Sequence, residues 1–184
     1  EKFFEIDPRD YLRALNVGNI VAVYHSQKSP SPSHLDCANT RSHGLRSIVY
    51  SWEHDSFCEA DEKFCKFLKY VGRKFEIYKM DCFSLVRDFY EQEYGIKITN
   101  YFRDDNWFKN DPKIIEKNYK KEGFFAISGN IKQGDVAIFD FAHFGIFLDE
   151  NTFLHHPRNR ISTIEKLNDI WKKHISLIVR HESR

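Results

Sequence analysis

The feature that most constrains the fold is Cys82, which stands where an amphipathic helix is predicted to begin. Apolar residues follow it at three- and four-residue spacing, namely Leu85, Val86 and Phe89. One face of this helix is therefore apolar and is expected to pack on a core. Gly95 supplies a residue that ends such a helix. The pattern predicts a core helix that carries a thiol at its amino end.

The position of Cys82 in the first turn favours a reactive thiol. Unpaired backbone N–H groups and the positive end of the helix dipole favour the thiolate over the thiol. Cys82 is therefore a candidate nucleophile. An inert packing residue is the alternative interpretation, since free cysteines are commonly small buried groups. This stretch alone leaves both interpretations open.

Length and charge narrow the classes of protein to consider. A chain of 184 residues can bury one good core and part of a second, which predicts a main domain and a smaller one. The 28 Lys and Arg residues nearly balance 27 Asp and Glu residues and are dispersed, so no basic surface predicts binding to nucleic acid. No apolar run approaches about 20 residues and no secretory signal opens the sequence, so we expect a soluble protein without membrane insertion.

The four cysteines, Cys37, Cys58, Cys65 and Cys82, do not have the pattern of a disulfide framework. They favour a reducing compartment, or at least a fold that does not depend on bridges. Cys58 and Cys65 also lack a histidine at metal-ligand spacing, and the sequence predicts no cofactor.

The first third of the chain is predicted to form a small parallel strand, helix, strand unit, too short for a complete α/β domain. Its expected elements are a strand at 1–6, a helix from Pro8 to Leu15 ended at Gly18, a strand at 19–25, a loop at 26–32, a short helix opened by a capping box at Ser33–Asp36, and a strand at 47–52.

After the Cys82 helix, a loop and then an antiparallel sheet are predicted. The expected elements are a loop at 98–125, strands at 136–140, 142–148, 152–155 and 175–180, and a helix around 165–173. On the second strand His143 and Gly145 share a face, so His143 stands at the strand start with Gly145 clearing space beside it. The aromatic cluster Asn106–Phe108 in the loop is interpreted as packing against the Cys82 helix.

Three residues of this half could form a catalytic triad. A thiol nucleophile needs a base, and the base needs a partner for its other ring nitrogen. A helix amino end packed on a sheet can bring Cys82 beside His143, and the next hairpin puts His155 on the neighbouring strand. A hydrogen bond between the two imidazoles would fix the tautomer that leaves one nitrogen facing the thiol. Backbone N–H groups at the helix start could serve as oxyanion donors.

Four segments of this half carry a resemblance to a known family: 81–88, 134–136, 143–148 and 153–156. In this order they resemble the papain-like NlpC-type cysteine peptidases, which cut peptides of bacterial cell walls. The resemblance implies Cys82, His143 and His155 as the catalytic residues. His156 is the runner-up for the third position.

The same resemblance implies a substrate and a reaction. Tyr78, Asp81 and Ser84 are the residues expected to bind substrate. The bond cut would lie in the peptidoglycan stem, between the γ-carboxyl of D-glutamate and a diamino acid. Cys82 would attack that carbonyl, His143 would protonate the leaving amine, and water would clear the thioester.

A second resemblance, to the JAMM-type metal-dependent isopeptidase domain, rests on the segments 4–11, 18–26 and 32–36. His25, Ser33 and Asp36 match the motif of that family. Gln27 and Lys28 stand where the family has His and Pro, and the upstream region with its catalytic Glu is absent. Two protein ligands, His25 and Asp36, make only a weak zinc site, so we expect a degenerate segment without a metal.

The two resemblances together predict an α+β protein with a degenerate JAMM-like segment at 1–57, a linker with one short helix at 58–73, and an NlpC-type domain at 74–184. In that domain the cysteine helix packs on an antiparallel sheet. The pairing resembles a family of phage tail assembly proteins. It implies bacterial peptidoglycan and phage tail-tip proteins as partners. It also implies a place in the host cytoplasm during assembly, then in the virion tail, with action on the cell wall.

Three other functions stay open. The first is a structural or assembly protein of the tail tip with a silent active site. The second is a sister reaction of the same fold, such as an amidase or an acyl transfer, because water and amine acceptors can use the same thioester. Metal-dependent isopeptidase chemistry at His25 and Asp36 ranks last.

Overall fold

The computed structural model describes residues 7–28, 32–53, 55–104, 106–107 and 117–184. The chain divides into two units, Glu1–Lys69 and Tyr70–Arg184. The strand expected at 1–6 and Phe108 lie outside the described residues, as does part of each predicted loop.

The first unit contains a three-stranded sheet. Its elements in chain order are α1 (Pro8–Val17), β1 (Ala22–Gln27), α2 (His34–His43), β2 (Arg46–Ser51), β3 (Ser56–Ala60) and α3 (Glu62–Phe67). β1 pairs in parallel with β2, and β3 pairs antiparallel with β2. The parallel pair and its connecting helix confirm the predicted strand, helix, strand order.

The segment predicted as a linker with one short helix contains that helix and also the end of a strand. Residues 58–60 lie in β3 and residues 62–67 form α3, and the division between the units falls at Lys69 and Tyr70. The alternation of β3 is hard to detect in the sequence because Phe57 and Glu59 both point to solvent, so charged and apolar residues share its outer face.

Sequence signals define both ends of α2, and a disulfide then fixes it to α3. Ser33 and Asp36 form the predicted capping box, and Gly44 ends the helix with a left-handed backbone at φ +65°. Cys37 on α2 forms a disulfide with Cys65 on α3, their Cα atoms lying 5.2 Å apart. The sequence analysis expects no disulfide framework and does not predict this bridge. Only the packing of two helices brings the cysteines within reach, and no spacing signal reports it.

The second unit is built on a six-stranded antiparallel sheet. Its elements in chain order are α4 (Cys82–Tyr94), β4 (Phe124–Ile127), β5 (Val136–Phe139), β6 (His143–Phe147), β7 (Thr152–His155), β8 (Thr163–Lys166), α5 (Asp169–Lys173) and β9 (Ile175–His181). The strands lie in the order β4-β9-β5-β6-β7-β8. The cysteine helix and the four predicted strands are confirmed with small differences at their ends. Within the described part of the chain, no helix is long and apolar enough to span a bilayer.

Two strands of this sheet differ from the prediction. β4 begins inside the segment predicted as a loop, and β8 occupies the start of the predicted helix at 165–173. β8 pairs with β7, with Thr163 opposite His155. The Asn168 side chain then accepts two backbone N–H groups of α5, so the helix begins only after this cap.

α4 uses the apolar face that the sequence predicts. The core residues on this helix are Phe83, Leu85, Val86, Phe89 and Tyr90, each at most 3% exposed. Burying each such side chain stabilises the fold by about 1.5–3 kcal/mol. The Phe83 ring meets Phe144 of β6, with ring centroids 5.6 Å apart. Trp107 stacks on the same Phe144, so it packs on the sheet, where the sequence analysis expects packing on the helix.

Candidate active site

Cys82 is the first residue of α4, and its neighbours hold it in place. The Asp81 carboxylate caps the helix by accepting a first-turn backbone N–H at 2.8 Å. Cys82 is only 6% exposed. The backbone N–H groups of Phe144 and Phe83 act to lower the pKa of its thiol. The backbone of Phe144, the residue that follows His143 in β6, therefore lies near the sulfur.

His143 and His155 form a hydrogen-bonded pair on adjacent strands. β6 and β7 pair with Gly145 opposite His155, so His143 lies diagonally across from His155 on the same face. Nε2 of His143 lies 2.9 Å from Nδ1 of His155. The two residues are 7% and 0% exposed. The structure thus brings together the two rings that the sequence analysis expects to meet.

The turn before His143 and the glycine after it set the position of this ring. Three residues join β5 to β6, and Ala142 at the end of the turn has a left-handed backbone with φ +57°. A Cβ atom at Gly145 would lie 2.6 Å from the Phe153 ring. Gly145 therefore lets Phe153 pack against His155, with ring centroids 4.6 Å apart. The space predicted beside His143 is filled by Phe153.

Burial determines the charge state of the thiol and of the first imidazole. Desolvation raises the pKa of Cys82 to about 12, and the negative charge of Asp81 adds to the rise. Desolvation, together with His155 and His156, lowers the pKa of His143 well below its usual value. Both groups are therefore neutral at pH 7. The expected thiolate is corrected, because a first-turn dipole contributes only about 0.3–1 kcal/mol and burial of a charge costs more.

Glu165 extends this histidine chain, and the sequence analysis does not identify it. Nε2 of His155 lies 3.3 Å from Oε1 of Glu165, without the alignment of a hydrogen bond. The other carboxylate oxygen accepts the indole N–H of Trp171 at 3.1 Å. The neighbouring His155 is the main cause of a lowered pKa at Glu165, so this side chain is a carboxylate at pH 7. The β-branched residues Thr163 and Ile164 were the available signal for a strand here.

Asp81 and Ser84 lie in a buried network with Arg103. Arg103 donates to both carboxylate oxygens of Asp81, at 2.9 and 3.1 Å, and to the Ser84 hydroxyl at 3.1 Å. All three residues are 1% exposed. A substrate-binding role does not fit side chains sealed in this way, so we interpret Asp81 and Ser84 as residues that hold the loop before α4. Sequence analysis misses Arg103 because its partner is distant along the chain.

Tyr78 is the third residue expected to bind substrate, and it is accessible. Its side chain is 36% exposed, and its backbone is left-handed with φ +67°. The Tyr78 N–H donates to the Asp81 carboxylate at 2.7 Å, and its carbonyl accepts the Ser84 hydroxyl at 3.2 Å. The buried network therefore holds the exposed ring in a fixed place close to the start of α4.

His156, the runner-up for the third catalytic position, has different neighbours. It is fully buried, and in the described part of the chain neither ring nitrogen has an aligned hydrogen-bond partner. Its ring meets Phe75 edge-on, with centroids 5.3 Å apart. Only His155 contacts His143 by a hydrogen bond, so the geometry favours His155 over His156.

His25 and Asp36, the weak metal candidates, pair with each other. Nε2 of His25 lies 2.7 Å from Oδ1 of Asp36. Oδ2 of Asp36 accepts the backbone N–H and the hydroxyl of Ser33, at 2.6 and 2.7 Å. Among the described residues, no group of three His, Cys, Asp or Glu side chains could hold a metal ion. These donors do not fit a catalytic zinc, which takes three protein ligands. The JAMM-like resemblance stays a prediction.

Comparison with known proteins gives one family match and two relatives. Residues 66–180 match the model of the NlpC/P60 family. The chain is 29% identical over 185 residues to the tail tip assembly protein K of Escherichia phage lambda, a match that covers 97% of this chain and 90% of that protein. It is 27% identical over 188 residues to the tail tip assembly protein K of Escherichia phage N15, covering 97% of this chain and 76% of that protein.

Proposed function

The chain belongs to the NlpC/P60 family, and from this premise we propose that it is a cysteine peptidase that hydrolyses stem peptides of peptidoglycan. The observation that carries the proposal is the buried His143–His155 hydrogen bond at 2.9 Å, on a strand whose next residue, Phe144, packs on Phe83 in the first turn of the helix that Cys82 begins. The proposed bond joins the γ-carboxyl of D-glutamate to a diamino acid.

The proposed reaction uses Cys82 as the nucleophile and His143 as the proton carrier. Sγ of Cys82 attacks the carbonyl carbon, and its proton passes to Nδ1 of His143, because Nε2 is engaged by His155. Since both groups begin neutral, the proton moves with the attack. The His143 imidazolium then protonates the leaving amine. Water next attacks the thioester and gives its proton to the same nitrogen, which restores the thiol.

Two further groups fit this reaction. The backbone N–H of Cys82 has no acceptor within the helix, because Cys82 is the first residue of α4. It can therefore donate to the oxyanion that forms on the carbonyl oxygen. Tyr78 is the accessible residue of the three expected to bind substrate, and Asp81 and Ser84 would act by holding its loop.

The similarity to two tail tip assembly proteins supports a place in a phage tail. We propose that the protein assembles with tail-tip proteins in the host cytoplasm, remains in the virion tail, and acts on the bacterial cell wall. Hydrolysis there would open a local path through the peptidoglycan.

Mass spectrometry of peptides released from purified peptidoglycan tests the reaction. Wild type should release peptides with the diamino acid at the new amino end and leave stems that end in D-glutamate on the glycan, and Cys82→Ala should release none. Cys58→Ala is the matched control, because Cys58 is the other cysteine of the described residues that is not in the disulfide. Undiminished turnover by Cys82→Ala would reject Cys82 as the nucleophile.

A silent assembly protein is the second candidate, and the burial of Cys82 favours it. The thiol is 6% exposed, and its raised pKa keeps it protonated. If the protein only assembles tails, Cys82→Ala should support full tail infectivity in a complementation assay. A working peptidase would lose infectivity with the same substitution while the tails still form.

A further inference from the structure

The geometry points to Glu165 as a positioning residue that sets the tautomers of both His155 and His143, with Trp171 holding its carboxylate in place. The inference rests on the proposed function, since it gives these histidines a role in proton transfer. Glu165 touches neither Cys82 nor, by the proposal, the substrate, and it acts through the two imidazoles.

The contacts at the end of the histidine chain support this assignment. Nε2 of His155 is buried and has no aligned hydrogen-bond partner among the described residues. The carboxylate of Glu165 is 3.3 Å away. Small rotations of the Glu165 side chain, which is 30% exposed, would align the contact. A buried N–H that lies this close to a carboxylate is stabilised by donating to it.

The contact of His155 with Glu165 determines which ring nitrogen carries the proton on each of the two imidazoles. A carboxylate only accepts, so Nε2 of His155 carries the proton and Nδ1 of His155 carries a lone pair. That lone pair must accept from Nε2–H of His143 across the 2.9 Å contact. Nδ1 of His143 is then unprotonated. The neutral His143 therefore presents a base, and not an N–H, for Cys82 to use.

The hydrogen bond from Trp171 to Glu165 predicts how an amide at position 165 would be oriented. Its indole N–H can only donate, and it donates to Oε2 of Glu165 at 3.1 Å. In Glu165→Gln the indole would hold the amide oxygen and turn the NH2 group toward His155. The NH2 group donates to Nε2 of His155, so the proton on each of the two imidazoles moves to the other ring nitrogen. His155 becomes the Nδ1–H tautomer, and His143 presents an N–H where the base is needed.

Two substitutions separate a tautomer role from a packing role. Glu165→Gln keeps shape and should lower kcat by about 10–100-fold, with a smaller change in KM. Glu165→Ala removes more atoms but lets water accept from Nε2, so its loss should be smaller than that of Gln. A packing role predicts the reverse order. Adding Trp171→Phe to Glu165→Gln frees the amide to turn over and should recover part of the loss.

Histidine ring NMR on nitrogen-15-labelled protein tests the same inference without turnover. Wild type should show His155 protonated at Nε2 and unprotonated at Nδ1, and Glu165→Gln should reverse this. An unchanged His155 tautomer in the Gln variant, or a Gln variant as active as or more active than the Ala variant, overturns the inference. If wild type itself shows no turnover on peptidoglycan, the proposed function fails, and the ring spectra still decide the role of Glu165.

Discussion

Each unit of the molecule holds a histidine in a short polar contact, but the two pairs differ in what surrounds them. His25 contacts Asp36 at 2.7 Å in the first unit, and His143 contacts His155 at 2.9 Å in the second. The remaining oxygen of Asp36 serves the capping box of α2, so that contact fixes a helix end. The His143 pair instead runs from the strand beside a thiol to Glu165. A short contact to a histidine therefore does not by itself indicate catalysis. The partners of the remaining polar atoms of both residues must also be identified.

The largest expected effect tests directly whether the two histidine pairs differ in function. His143→Ala removes the proposed proton carrier and should lower kcat by about a million-fold, as loss of a base from a nucleophile–base unit does. His25→Ala should leave kcat unchanged, because His25 supports a local structure. Steady-state release of stem peptides measures both variants. Equal losses would mean that the two pairs are not functionally different.

A second pair of variants sharpens the assignment within the catalytic unit. His155→Ala should lower kcat by about 10²–10⁴-fold, because His143 then loses the group that orients it. His156→Ala should change kcat by less than about 10-fold, since its ring packs on Phe75 and, among the described residues, makes no hydrogen bond with His143. Both rates are to be corrected for the folded fraction measured by circular dichroism. A larger loss for His156→Ala would make His156 the third catalytic residue.

The third prediction compares an ion pair in each unit. Arg103→Met leaves the buried Asp81 carboxylate without its partner and should lower the free energy of unfolding by about 3–5 kcal/mol. Arg46→Met in the first unit removes a pair with Glu59 in which both side chains are 53% exposed. That change should cost less than about 1 kcal/mol. Urea denaturation followed by tryptophan fluorescence gives both values, and similar values would contradict the role of burial.

The smallest expected effect is on the stability of the protein at low pH. Burial would raise the pKa of Asp81, but the hydrogen bonds and the charge of Arg103 hold it below its ordinary value. As the pH falls, Asp81 therefore takes up a proton at a higher pH in the unfolded chain than in the folded protein. The stability from Asp81 is present in full above its unfolded pKa of about 3.9 and is lost as pH falls through the lower folded value.

Asp81→Asn tests that acid dependence. Asparagine keeps the helix cap but lacks the charge that pairs with Arg103. The variant is therefore less stable at neutral pH, and it should lose less stability than wild type does as the pH falls below about 4. Urea midpoints at several pH values measure the difference. Parallel curves for the two proteins would show that Asp81 does not carry the acid response.

Local signals predicted the parts of the fold that short segments determine. The apolar spacing after Cys82 and the capping box at Ser33 each specify an element by neighbouring residues, and each element is present. The contact of His143 with His155 also follows from adjacent hairpin strands. The peptidase roles of these residues stay a prediction.

The features that sequence analysis missed depend on contacts between distant segments. The disulfide of Cys37 with Cys65 needs two helices packed together, and Arg103 reaches Asp81 from beyond α4. Glu165 was assigned to a helix, because its strand is defined by pairing with β7 and not by its own residues. The charge state of Cys82 was wrong for a related reason: burial is a property of the folded molecule, and no local pattern reports it.

The burial of Cys82 also affects how long the protein can remain chemically intact. Peroxide attacks thiolates much faster than thiols and reaches exposed sulfur more readily. A cysteine that is 6% exposed with a pKa of about 12 offers neither the charge nor the access. Cys82 is therefore protected against sulfenic acid formation in aerated medium. In the proposed virion tail, outside the cell, this residue would stay reduced without any reducing partner.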